Sequence, residues 1–455
     1  MKKMLLSILA AAILVGLSLP VLAAVENVKV GGDIGVKMIY RNNFDFVKDR
    51  VGRRLKDQQH FIHSAIRVYV TADLSQNVST MVRLINERDW ETQNLAAAPE
   101  DYNDFLLDLG YIKASDLLTK GLTLTVGRQE ILLGEGLVVG SAYNYSNYPI
   151  NFGLRGASND LGIRKSFDAV KLDYAIENVP VSITAFMAKI DETYGGPVGR
   201  PAHPGSPEHP GDVTLYGAAL KWAPENFSLE PYFVSKVTAY NEPKDILMTG
   251  GVRGEVKLPA VEGLSLKGEY AHQFGDNGVA NGEYTGWAGY VGGSYEFPVS
   301  MKPAVSLTYS RYSGKKSTDP SPDSKAWVPV YPANIASRIG AIAYPALAGV
   351  VGGVPESNAQ VIKVGFGLKP LEKLGMSLNY YNLRLVETAP GVSKAVGNEI
   401  DLSLTYAYTE DLSFGLDIGY FLKGKAIKQY VGGLTGSEAD AANPWQAIAS
   451  VNVAF

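Results

Sequence analysis

The 455-residue sequence contains no cysteine. That excludes a disulfide framework, thiolate metal sites and a cysteine nucleophile. It lacks a basic excess: 42 Lys and Arg stand against 46 Asp and Glu, a formal net charge of −4. Binding to nucleic acid through phosphate neutralisation therefore has no footprint. Histidine is scarce, and His60, His63, His203, His209 and His272 offer no third ligand at metal-site spacing. No G-x-x-x-x-G-K-[ST] loop is present to cradle a nucleotide. No serine is matched by pattern to His272, the histidine set furthest inside a strand, so a hydrolase at a barrel rim finds no support. Neither a cofactor nor catalysis is expected.

Long apolar runs are also missing beyond the N-terminus. Residues 1–23 read as a secretory signal. Lys2 and Lys3 precede an uncharged run from Met4 to Leu19, Pro20 breaks it, and a cut is expected after Ala23. The remaining chain, 24–455, has no stretch of roughly 20 apolar residues of the kind a spanning helix needs. A membrane protein without such helices has one remaining option, the closed β-barrel.

What the chain does have is glycine (48), tyrosine (26) and alternation. In 411–422, Leu412, Phe414, Leu416, Ile418, Tyr420 and Leu422 alternate with smaller or polar residues, and 399–408 repeats the pattern. A helix would scatter these side chains around its surface, whereas a strand puts them all on one face. The same reading gives about eighteen strands, from 28–40 to 445–455, an even number that suits an outer-membrane barrel. Short connections near 74–76, 178–179, 223–226 and 370–374 alternate with long ones such as 132–166, 191–212 and 314–359. Short periplasmic turns and long extracellular loops predict that arrangement. No composition break divides the chain, so one all-β transmembrane antiparallel barrel domain of bacterial outer-membrane type is expected over 24–455.

One face of each strand is apolar, as in Ile66, Val68 and Val70, or Ile362, Val364, Phe366 and Leu368. The other carries charge. Arg67, Arg83, Asp108, Lys171, Glu230, Arg253, Glu255, Lys267, Lys363, Arg384 and Asp417 are the candidate pore-lining residues. Eighteen strands enclose more space than side chains fill, so charge on the inner face implies water. Tyr40, Trp90, Tyr111, Trp222, Tyr309 and Tyr420 near strand ends fit interfacial girdles. The C-terminal alternation ends on Phe455, which looks like the signal read by the barrel-assembly machinery.

Leu122 to Ser141 reads LTLTVGRQEILLGEGLVVGS. The run Gly127-Arg128-Gln129-Glu130, followed by Gly134-Glu135-Gly136, resembles the alginate-export family of outer-membrane porins. The resemblance implies an eighteen-stranded barrel in which Arg128 and Gln129 sit where a strand meets a long loop and help organise the pore. Strict alternation points Arg128 outward, while a bulge at Gly127 turns it into the lumen. An Arg–carboxylate brace holding the loop is the alternative. Loop 132–166, with Glu135, Arg155, Arg164 and Lys165, is the candidate constriction.

Together these readings predict an outer-membrane porin for small polar or charged solutes, anionic sugars or uronates among them. A polysaccharide export channel and a closed binding or display barrel are the alternatives. The expected partners are outer-membrane lipid, the assembly machinery and a small solute.

Overall fold

A computed structural model describes residues 26–48, 58–90, 105–142, 161–191, 212–239, 245–333, 337, 339–340 and 357–455. The expected signal segment and Arg155 lie outside the described residues. Eighteen strands run in chain order: β1 (Glu26–Asn42), β2 (Gln59–Ser75), β3 (Val78–Asp89), β4 (Leu106–Ala114), β5 (Leu122–Gln129), β6 (Phe167–Ala175), β7 (Val181–Asp191), β8 (Asp212–Trp222) and β9 (Phe227–Ala239). They continue through β10 (Asp245–Lys257), β11 (Leu264–Phe274), β12 (Trp287–Glu296), β13 (Ala304–Tyr312), β14 (Ala359–Leu371), β15 (Leu374–Leu385), β16 (Ala395–Ala407), β17 (Leu412–Lys423) and β18 (Trp445–Ala454).

Each strand pairs antiparallel with its sequence neighbours, and β1 closes the sheet on β18 through ten register pairs from Asp33↔Ala454 to Asn42↔Trp445. Closure leaves no open edge, which is the condition for a sheet to stand in lipid. The seam continues to the last residue, where Gly32 and Phe455 exchange backbone hydrogen bonds at 2.9 and 3.0 Å.

The alternation sorts side chains as anticipated for a barrel. Val68, Val70, Val82, Val126, Leu266, Val291, Leu307, Val364 and Leu378 are exposed on the outer rows, where hydrocarbon replaces water. Aromatic pairs mark the two ends of that band. Tyr40 stacks on Trp445 at 4.9 Å near the long loops, and Trp222 meets Phe227 and Tyr295 meets Phe297 near the short turns. Tyr111 departs from the girdle reading. It lies opposite Met81 on the row of Arg83 and donates its hydroxyl to the Met81 sulfur.

The interior is not simply water between charged walls. Loops from the extracellular end fold inward and bring apolar residues with them. Phe44, Phe46, Ile131, Leu137, Val139, Trp327, Val330 and Ile339 pack with the wall residues Phe167, Leu215, Leu383 and Phe421. A helix, α1 (Lys425–Thr435), adds Ala426, Ile427 and Val431 from the last loop. Charged wall positions lie on the same inner rows as these wall residues.

Candidate pore constriction

The site is built by the loop after β5. It begins with Glu130 on Arg83, whose guanidinium also holds Asp108, each contact at 2.6 Å. Asp108 reaches that position through a ladder irregularity: Arg83 faces Leu109 and Leu84 faces Leu107, so Asp108 is the extra residue. The insertion turns a carboxylate inward beside the arginine, as bulges do. It buries Asp108 to 1% exposure, with its Oδ2 in the ion pair.

From there the loop crosses the lumen to the wall formed by β9, β10 and β11. The backbone N–H of Gly134 donates to Glu230 at 2.7 Å. Glu135 accepts from Lys267 on both carboxylate oxygens at 2.8 Å and from Arg253 at 3.2 Å. Gly134 is required for this approach. Its φ is +56, and a Cβ there would stand 3.0 Å from the Arg253 side chain and 3.3 Å from a Glu269 carboxylate oxygen. Burial pushes the Glu135 carboxyl up, but the hydrogen bonds and charges of Lys267 and Arg253 outweigh it and hold the group below its ordinary value. The receiving wall is itself tied together, with Arg253 on Glu255 at 2.7 Å and the Tyr232 hydroxyl donating to Glu269 at 2.6 Å.

A second loop braces the first. Tyr331 donates its N–H to Val138 and accepts from Gly140, and Ala333 donates to Gly136, all within 2.9 Å. Gln273 of β11 holds the same loop by pairing its amide with both backbone groups of Val328, at 2.6 and 2.9 Å. Further on, the buried Glu399 accepts the backbone N–H groups of Ile339 and Gly340 at 2.8 and 2.7 Å. Each of these donors, left unpaired inside the barrel, would cost about 1–3 kcal/mol.

The structure places the other candidates as follows. Arg67 lies on an inner row and pairs with Asp33 at 2.9 Å. Lys171 pairs with Asp173 at 3.0 Å on the row of Phe167 and Ala169. Lys363 stands over the Tyr381 ring at 5.5 Å, and Asp417 shares the row of the buried Phe421. Arg164 holds the end of the loop to β3 through Glu87 at 2.9 Å, while Lys165 is exposed.

Two candidates face the other way. Arg384 is exposed on the outer row of Leu378 and Tyr380, between the buried Leu383 and Leu385. Arg128 keeps the outward phase of Val126. The β5 ladder runs past Gly127 without a register shift, so the bulge that would turn Arg128 inward is absent there and sits one strand away at Asp108. Arg128 makes a two-pronged brace with Asp168 at 2.8 and 2.5 Å and donates to the Leu107 carbonyl. Gly127 has a local reason of its own. Its φ is +121, and a Cβ would fall 2.2 Å from the Gly110 carbonyl oxygen. Gln129 points inward and is buried, bonded to the carbonyls of Thr125, Gly127 and Ala169.

Sequence patterning did not single out Glu130, Gln273 or Glu399 as loop anchors. Glu130 stands in the G-R-Q-E run, which is a local signal. Gln273 and Glu399 act across 55 and 60 positions, and nothing local announces them.

The family model described as alginate export matches residues 28–437, nearly the whole chain. The chain belongs to the alginate export family. Solved structures with a similar fold include an outer membrane protein, OprD, and two relatives by fold. OprD of Pseudomonas aeruginosa is 11% identical, with a TM-score of 0.54 over 95% of this chain and 96% of that one. OccAB1 of Acinetobacter baumannii is 13% identical, with a TM-score of 0.54 over 95% and 97%. OccK3 (OpdO) of Pseudomonas aeruginosa is 12% identical, with a TM-score of 0.55 over 94% and 96%. At such identities the likeness concerns the fold. No curated protein matches the sequence. As a member of the alginate export family with this barrel, the protein is a porin-type channel of the bacterial outer membrane, associated with its lipid, and not an enzyme.

Proposed function

We propose that this family member is a passive diffusion channel for small polar or charged solutes, with anionic sugars or uronates as the favoured class. The observation that carries this reading is the loop 130–142. It is fastened to one wall by Glu130–Arg83 and to the opposite wall by Glu135–Lys267 and Glu135–Arg253. A loop held at both ends narrows a barrel without moving parts. It also sets arginine and lysine side chains beside carboxylates, a pattern that orients charged or hydroxylated solutes. Lys267 and Lys363 each lie near a tyrosine ring, Tyr290 at 5.9 Å and Tyr381 at 5.5 Å. A cation next to an aromatic face suits a carboxylated sugar ring.

The same reading takes residues 24–455 as one barrel domain, exported by a leader in 1–23 and assembled through Phe455. The family's description favours a second reading, passage of an anionic polysaccharide. The two separate in a planar bilayer. A small-solute channel gives steady conductance that added uronate monomer reduces and uronate polymer leaves alone. A polymer channel is blocked by the polymer. A folded, inserted barrel that stays silent under both conditions contradicts the channel reading.

A further inference from the structure

Beside the wall that receives Glu135, the inner face of β12 to β15 carries a notch. Lys267 lies opposite Gly292, Gly292 opposite Thr308, Thr308 opposite Lys363 and Lys363 opposite Tyr381, so these residues form one rung. The next inner rung toward the periplasm is Ser294, Ser306, Gly365 and Asn379. A glycine stands in each rung where a side chain would fill the space. A Cβ on Gly292 would lie 2.7 Å from the Thr308 Oγ1. A Cβ on Gly365 would collide with the Ser306 Oγ and lie 2.9 Å from the Asn379 Oδ1. Two hydroxyls and an amide therefore lean over bare backbone.

The polar groups of the notch are not spent on the protein. Among the described residues, Ser306, Thr308 and Asn379 make no side-chain hydrogen bond and Lys363 makes no ion pair. The Lys363 ammonium lies 5.5 Å from the Tyr381 ring, a contact that leaves its N–H donors open. Lys267, at the other end of the rung, is held by both oxygens of Glu135. All four side chains of the notch are partly exposed, so lumen water reaches them. Asp401, the register partner of Asn379, is buried at 2% exposure and bounds the notch on the β16 side.

This set sorts solutes. A half-buried ammonium without a counter-ion takes an anion, and one lysine balances one carboxylate better than a doubly charged phosphate. Hydroxyl and amide groups both donate and accept, as sugar hydroxyls do. The two rungs are about 7 Å apart along the strand, a step that one sugar ring bridges. Asp401 repels an anion at the far end and so sets the carboxylate at Lys363.

We propose that this notch is a binding subsite for a monomeric sugar acid, with the carboxylate on Lys363 and the hydroxyls on Thr308, Ser306 and Asn379. The assignment rests on the diffusion-channel reading and adds to it the residues that tell a hydroxylated carboxylate from a plain one.

The test uses the refolded full chain in a planar bilayer, with potassium chloride carrying the current and glucuronate, hexanoate and glucose as added solutes. Glucuronate should halve the current at a concentration about tenfold below that needed of hexanoate or glucose. S306A/N379A should keep the potassium chloride conductance and bring glucuronate level with hexanoate. K363Q should bring glucuronate level with glucose. S413A, which removes a hydroxyl from the inner row of β17, should keep the wild-type ranking. If the double variant does not fold, N379A alone decides, with a loss of about threefold expected. A conducting chain on which the three solutes act alike overturns the subsite and leaves the channel reading standing. So does a glucuronate preference that survives S306A/N379A, or N379A where the double variant fails. A folded, inserted barrel without current overturns both.

Discussion

Glu135 and Lys267 meet at 2.8 Å although 132 positions separate them. The contact fastens a loop that leaves the barrel at β5 to the wall at β11, and Arg253 of β10 joins it. Glu135, expected in the constriction loop, thus stands inside the lumen on the wall of β10 and β11. Replacing it with glutamine removes the anion between two cations and keeps the shape. E135Q should shift the reversal potential toward anions and make the current noisier, since the loop loses its charge-assisted anchor. A salt-gradient measurement on the variant checks both effects.

The same anchor has a defined response to acid. The Glu135 carboxyl sits below its ordinary value of 4.5 because Lys267 and Arg253 outweigh the opposing effect of burial. A carboxyl lowered in the folded state gives its full stabilisation above the unfolded value and loses it as pH falls through the folded value. The loop should therefore stay fastened from neutral pH down through the ordinary glutamate range, loosening only below it. Current noise followed against pH should be flat above about pH 4.5 and rise beneath it in the wild type, and be independent of pH in E135Q.

Arg83 holds two carboxylates, Asp108 and Glu130, at the near end of the loop. R83E sets a third acid against them. Cation selectivity should increase, and the reversal potential should move opposite to its shift in E135Q. R128Q, on the outer face with Asp168, should leave the reversal potential where it is. Equal effects from Arg83 and Arg128 would place the path elsewhere.

Gly127 adopts φ +121 with the Gly110 carbonyl where a Cβ would stand, 2.2 Å away. G127A should destabilise the barrel by about 1–3 kcal/mol. The measurement is the urea midpoint of the folded chain in detergent, with G250A as a reference. A Cβ at Gly250 meets only the Phe274 ring at 3.8 Å, an ordinary contact.

The strands were legible because a half-buried strand writes its two faces into alternate residues. The expected 411–422 is β17 at Leu412–Lys423, and the expected 445–455 is β18 at Trp445–Ala454. Inward charge was legible by the same parity at Arg67, Arg253 and Lys267. Charge does not mark the lumen at Arg384, because outer rows also turn polar at the headgroup level. The motif at Arg128 left two outcomes open, and only the ladder decides between them, because the bulge belongs to the neighbouring strand at Asp108. The loops were the least legible part. The inward course of loop 132–166 was expected, but not that Leu137, Val138 and Val139 would be buried inside the barrel with it. Their docking depends on Tyr331, Gln273 and Glu399, contacts between distant segments with no local period.

The central claim is that the barrel encloses a water-filled path narrowed by the loop that Glu135 fastens. Single-channel recording of the refolded chain in a planar bilayer, under a salt gradient, tests it most directly. The account predicts steady, ohmic steps whose reversal potential moves toward anions when Glu135 becomes glutamine. Silence from a barrel shown to be folded and inserted, or a reversal potential indifferent to Glu135, would contradict it.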